Sequence, residues 1–284
     1  NVVYVSLETN LTIASYFNDN IAPERLLRYL EASTGERIIA GETLIFFDEI
    51  QSCERALTSL KYFCEETPEF HIAAAGSLLG VAINRQHYSF PVGKVETITM
   101  YPLDFEEYLW ARGKEFLASE IRSAFETMTA LPDALHAEAT ELYREYLLIG
   151  GMPASINAFL RSGSFLDVSL VQNEILDNYI ADMAKYASNA DSVKIRACYN
   201  SIPAQLAKDN RKFQYKVVQK GGSASLFGAS IEWLYLAGVV LKCQRISQAF
   251  EPISVYADLS AFKLYMGDVG LLTAKSGLSQ QTVL

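Results

Sequence analysis

Apolar and polar positions fall into two rhythms along the first hundred residues. Val2–Leu7, Thr43–Phe47 and Phe70–Ala75 are short, mostly apolar runs, which predict buried strands. Between them Pro23 opens a stretch with Leu26, Leu27 and Leu30 at helical spacing, and Arg55–Cys64 puts Leu57, Leu60 and Phe63 on one helical face. Lys94–Thr99 alternates with a period of two, which predicts one more strand. Apolar strands separated by helices predict a parallel sheet covered on both faces, an α/β arrangement.

From residue 103 the rhythm becomes helical. Asp104 followed by Glu107 is a capping box, with Leu103 and Tyr108 at the spacing of a hydrophobic staple and Gly113 as a stop. Leu135, Ala139, Leu142, Tyr146 and Ile149 predict a second helix that ends at Gly150-Gly151, and a third runs over Val168–Tyr186. The last hundred residues mix both types: a helix over Val193–Ala207, a helix carrying Leu226, Trp233, Leu234 and Leu236, then strands at Val239–Cys243 and Phe262–Met266. Helix, helix and two-stranded wing is the order of a winged helix. The expected domains are therefore 1–102, an α/β core; 103–186, a helical domain; and 187–284, a winged-helix-like domain.

Composition narrows this further. At 284 residues the chain is long enough to bury a core without disulfides or metals. The longest uninterrupted apolar run, Trp233–Leu241, is half of the ~20 residues that a membrane span requires, so no membrane partner is expected. Cys53, Cys64, Cys198 and Cys243 form no C-x-x-C pair and no zinc spacing with histidine. They are expected to be ordinary thiols of a reducing cytoplasm. The charge is uneven. Residues 1–100 carry 7 basic and 13 acidic side chains, residues 101–186 carry 6 and 14, and residues 187–284 carry 11 and 6. Such asymmetry points to domains with different partners or to drift in surface composition. Lys208, Arg211, Lys212, Lys216 and Lys220 concentrate the basic excess in 208–220, where a phosphate backbone of nucleic acid, or a protein, can bind.

The most specific chemistry lies at Leu44-Ile45-Phe46-Phe47-Asp48-Glu49-Ile50-Gln51, an apolar strand that ends in two carboxylates. This is the Walker B pattern. The strand delivers both acids to the carboxyl edge of the sheet, where such sheets bind ligands. Asp48 would hold magnesium through its water shell, and Glu49 would orient and polarise an attacking water. The strand-like run after it, Phe70–Ala75, ends at Gly76-Ser77. Ser77 is expected near the γ-phosphate as a sensor, a role compatible with the N-cap of a helix that follows. Arg85 is either an arginine finger acting in trans or a solvated surface residue. No G-x-x-x-x-G-K-[ST] loop occurs in the 284 residues. The chain opens on Asn1 rather than Met and runs at once into a strand, so the phosphate loop and its strand are expected upstream, in a longer protein.

The chain resembles the prokaryotic AAA-type, STAND-like P-loop ATPases that have a DEIQ Walker B and a C-terminal domain of unknown function. The resemblance rests on Asp48-Glu49-Ile50-Gln51, Gly76-Ser77-Leu78-Leu79-Gly80, Phe90-Pro91-Val92-Gly93-Lys94-Val95-Glu96 and Tyr101-Pro102-Leu103-Asp104-Phe105-Glu106-Glu107-Tyr108. Gly150-Gly151-Met152-Pro153, Lys212-Phe213-Gln214-Tyr215 and the stretch from Phe262 to Leu272 continue it in family order. It implies binding of ATP and magnesium, and an adenine contact by the G-x-P of Gly151 and Pro153. A helix C-cap followed by a breaking proline is the other reading of those residues. The resemblance also implies that this chain lacks both the phosphate loop and a C-terminal nuclease-like segment, and so does not hydrolyse ATP by itself. Two functions follow: an ATP-driven switch that works with protein partners or by self-association, or a non-enzymatic scaffold whose basic C-terminal domain engages protein or nucleic acid.

Overall fold

The computed structural model describes residues 1–76, 93–278 and 280–283. They form two compact units, 1–99 with 236–238 and 100–235 with 239–284.

The first unit is built on three parallel strands in the order β1 (Val2–Ser6), β2 (Leu44–Asp48) and β3 (His71–Ala74). Val2 pairs with Leu44 and Leu44 with His71, and the register runs unbroken to Ser6 opposite Asp48 and Phe47 opposite Ala74. Among the described residues its helices are α1 (Leu11–Ser15), α2 (Pro23–Thr34) and α3 (Glu54–Glu66). Pro23 sits in the first turn of α2, where its missing N–H has no partner to lose, and Gly35 ends that helix in the left-handed region at φ 71°. Val3, Val5, Ile45 and Phe47 share one face of the sheet and form the core with Leu26, Leu30, Leu57 and Phe63. Phe17 meets the edge of Phe47 with ring centroids 5.6 Å apart.

The other face differs from the expectation of a sheet covered on both sides. Val2 is 56% and Tyr4 59% exposed, although side chains of parallel strands are normally buried on both faces. Among the described residues, the apolar stripes of α2 and α3 supply cover for one face only. The expected strand at Lys94–Thr99 is also absent: the segment is irregular, and Ile98 is exposed. Alternation alone does not make a strand where no neighbour offers a ladder. Lys94 instead pairs with Glu65 at 3.0 Å.

The second unit is mainly helical: α4 (Phe105–Ala111), α5 (Glu115–Glu126), α6 (Asp133–Ile149), α7 (Pro153–Ser162), α8 (Phe165–Tyr186), α9 (Asn189–Leu206), α10 (Tyr215–Val218) and α11 (Ala224–Leu236). The capping box forms as expected: Glu107 N–H donates to Asp104 and Asp104 N–H to Glu107, both at 2.9 Å. Leu103 packs on the core around buried Tyr108. After α11 come β4 (Val240–Ile246) and β5 (Ala257–Met266), an antiparallel hairpin with Val240 opposite Met266 and an irregularity after Gln244. The chain then forms α12 (Val269–Lys275), which was not among the expected elements, and α13 (Gln280–Val283). α12 is fixed to α6 by the Thr273 hydroxyl, which donates to the Leu147 carbonyl at 2.8 Å. All four cysteines are free thiols. Among the described residues, no helix is long and apolar enough to cross a membrane.

Candidate functional site

The carboxyl edge of the three-stranded sheet is held by main-chain bonds that run past the strand ends. Leu7 N–H donates to Asp48 O at 2.9 Å, Ala75 N–H to Phe47 O at 2.8 Å and Ile50 N–H to Ala75 O at 3.0 Å. β2 is the central strand, so both neighbours fix the place where it delivers Asp48 and Glu49.

Asp48 lies in register on the same face as Tyr4 and Phe46. Its Oδ1 accepts the Glu49 N–H at 3.0 Å, and its Oδ2 accepts the Tyr4 hydroxyl. The Tyr4 ring stacks on Phe46 with centroids 5.9 Å apart, which holds the phenol over the carboxylate. The hydrogen bond to Asp48, followed by partial burial and the nearby negative charge, raises the Tyr4 hydroxyl above its ordinary pKa, so it stays a donor.

Glu49 turns the chain out of the strand. Its φ of 51° and ψ of 44° put a non-glycine residue in the left-handed region, a conformation that costs about 1–2 kcal/mol. The 3-10 turn Ile50–Ser52 follows directly. Gln51, on that turn, is 6% exposed and donates its Nε2–H to Glu49 Oε2. The site thus gathers Tyr4, Asp48, Glu49 and Gln51. Pattern reasoning gave roles to the two acids, carried Gln51 only as the last letter of the DEIQ motif without a role, and passed over Tyr4. An aromatic residue in a strand reads as core, and a neutral amide carries no charge signal. Ser77 and Arg85 lie outside the described residues.

Gly151 and Pro153 belong to the other unit. Gly151 N–H donates to Asp268 Oδ2 at 2.6 Å, and its carbonyl accepts the Leu103 N–H at 2.8 Å. Asp268 Oδ1 accepts the Leu271 N–H at 2.8 Å and so caps α12. Gly150 has a φ of 75°, and a Cβ there would lie 2.3 Å from Asp268 Oδ1. A Cβ on Gly151 would lie 1.9 Å from the Leu103 carbonyl oxygen. The glycine pair is therefore required by close approach to these two neighbours. Pro153 is the first residue of α7 and is exposed, so it starts a helix rather than only ending one. Asp268 is 4% exposed, and burial raises its carboxyl above the ordinary value against the N–H groups of Leu271, Gly151, Gly270 and Met152. An N-cap aspartate before an apolar stretch was a readable signal at Asp268.

Among the described residues, no cluster of three or more His, Cys, Asp or Glu side chains forms a metal cage. Magnesium does not need one: it keeps several waters, takes one or two carboxylates and fills the rest with substrate phosphates. Asp48, at the edge of the sheet, fits that donor set.

Residues 1–109 match the family model described as an AAA domain. Residues 140–282, half of the chain, match that of a domain of unknown function, DUF8612. Among solved structures, a Walker-type ATPase of Pyrococcus abyssi is similar over 96% of this chain and 83% of its own, with a TM-score of 0.53 and 13% identity. At that identity the likeness is one of fold. None of the curated proteins matches.

Proposed function

The chain belongs to the family defined by the domain of unknown function DUF8612, and on that premise we propose that it is the Walker B part and effector region of an ATP-hydrolysing switch. The observation that carries this reading is the pair Asp48-Glu49 at the carboxyl end of the central strand of a parallel sheet. The match of residues 1–109 to an AAA domain and the fold shared with a Walker-type ATPase support it.

In this reading Asp48 binds the water shell of magnesium. The ion held there would supply electrostatic neutralisation of the charge that develops on the transferred phosphoryl group. Glu49 orients the attacking water and accepts its proton. Ser77 senses the γ-phosphate, and Arg85 reaches a neighbouring nucleotide in trans. Pro153 meets the adenine, while Gly151, whose N–H is taken by Asp268, shapes the turn that presents it. The phosphate loop comes from chain outside these 284 residues, since no such motif occurs within them. The face around Val2 and Tyr4, which has no cover among the described residues, leaves room for further structure to pack there. Hydrolysis would then shift the helices and the C-terminal region. The order of α9, α10, α11 and the β4–β5 hairpin supports a winged-helix reading of that region.

A second reading is a non-enzymatic scaffold. It is favoured by the basic run, because Lys208, Arg211, Lys212, Lys216 and Lys220 are on the surface. The two readings separate in one assay: phosphate release from ATP by the full-length protein with and without magnesium, beside Asp48→Ala. The switch predicts magnesium-dependent release that Asp48→Ala abolishes. Release that neither magnesium nor Asp48 affects excludes it.

A further inference from the structure

We propose that Gln51 is the positioning residue of Glu49, fixing its carboxylate through Oε2 so that Oε1 is aimed at the attacking water. The inference rests on the reading of Glu49 as the base. A glutamate has three side-chain torsions, and a base that wanders among their rotamers is rarely in a reactive geometry. Two features restrict it here. The backbone of Glu49 is fixed in the left-handed region. Its carboxylate accepts a hydrogen bond from a side chain only two positions away, on a 3-10 turn.

That turn is itself firmly placed. Ile50 is fully buried in the core of the sheet, and its N–H is bonded to Ala75 O. Ser52 N–H donates to Glu49 O at 2.9 Å, and Cys53 N–H donates to Ile50 O at 3.0 Å. Gln51 therefore starts from a rigid backbone, and burial excludes the water that would compete for its amide. The residue type also suits the task. A lysine or arginine here would form an ion pair with the base and weaken it, whereas a neutral amide donates one hydrogen bond and takes no proton. Asp48 is held separately by Tyr4 and the Glu49 N–H, so the two acids have different partners and can do different work.

The test is a double-mutant cycle on the full-length protein: Gln51→Met, which keeps the length and removes the donor, with Glu49→Gln and the pair together. ATP turnover and KM are measured, together with ADP affinity as a check that the fold is intact. The expected result is a fall of about tenfold in kcat for Gln51→Met with KM unchanged, as for a group misplaced at the reacting centre. In the Glu49→Gln background the same substitution should change the residual rate by less than about twofold. Gln51→Glu, which keeps shape and polarity but sets one carboxylate against another, should lower kcat similarly and guards against a packing artefact of the methionine. Wild-type kcat in both Gln51 variants, or an equal fall in both backgrounds, overturns the inference while leaving Glu49 as the base. Wild-type turnover by Glu49→Gln overturns the base assignment and this inference with it.

Discussion

The N–H of Gly151 donates to the carboxylate of Asp268 at 2.6 Å, across 117 positions of the chain. This bond joins the turn between α6 and α7 to the start of α12. It also explains why two glycines stand at 150 and 151, because each would bring a Cβ into Asp268 or into the Leu103 backbone.

Asp268→Ala should lower the stability of the protein by about 3 kcal/mol, since several buried N–H groups lose their acceptor together. Gly151→Ala should be destabilising by about 1–3 kcal/mol or more, because the atom it meets is backbone and cannot rotate away. Urea unfolding of the two variants beside wild type measures both. A loss below about 0.5 kcal/mol for Asp268→Ala would mean that the bond is incidental.

The same carboxyl gives a pH signature. Burial raises it above its ordinary 3.8, so the native state takes up this proton before the unfolded chain does. Its contribution to stability is fully present below the unfolded value and is lost as pH rises through the native one. The stability of wild type relative to Asp268→Asn should therefore improve as pH is lowered from 7 towards about 4. A difference that is flat, or that shrinks on acidification, would show that the N–H donors outweigh burial.

Tyr4→Phe removes the hydroxyl that occupies Asp48 Oδ2 while keeping the ring on Phe46. If Asp48 serves the magnesium shell, this variant should need less magnesium for half-maximal turnover, by a factor of about two to five, because a charged acceptor loses a competing donor. Magnesium titrations of the two proteins decide the point. An unchanged requirement would mean that the phenol leaves Asp48 without cost on metal binding.

The sheet was legible in the sequence because its signal is local. The apolar runs Val2–Leu7, Thr43–Phe47 and Phe70–Ala75 became parallel neighbours, shifted by no more than a residue at each end. The hairpin of Val239–Cys243 with Phe262–Met266 and the capping box at Asp104 were readable for the same reason. What escaped is non-local or depends on backbone shape. Asp268 caps α12 with a neighbour three positions on, yet its bond to Gly151 spans most of the second unit. Nothing in the identity of Glu49 announces a left-handed backbone, which favours glycine, so its bond to Gln51 was out of reach. Lys94–Thr99 shows the converse, an alternating pattern with no strand partner among the described residues.

The surface run Lys208 to Lys220 is expected to bind duplex nucleic acid weakly, with affinity that falls steeply with salt and is indifferent to base sequence. Replacing Lys208, Lys212, Lys216 and Lys220 by alanine should flatten the salt slope by about one unit for every phosphate that these lysines neutralise. Titration of the intact protein with DNA at low and moderate salt tests this. No binding at low salt would leave the run as a protein-binding surface.

Phosphate release by the Glu49→Gln protein is the sharpest test of Asp48-Glu49 as a working Walker B pair. The amide keeps the shape of the side chain but cannot accept the proton of the attacking water. With the full-length protein, magnesium and ATP, Glu49→Gln should bind ATP as tightly as wild type and release phosphate at least about a hundredfold more slowly. Phosphate release at the wild-type rate, with ATP bound normally, would contradict it.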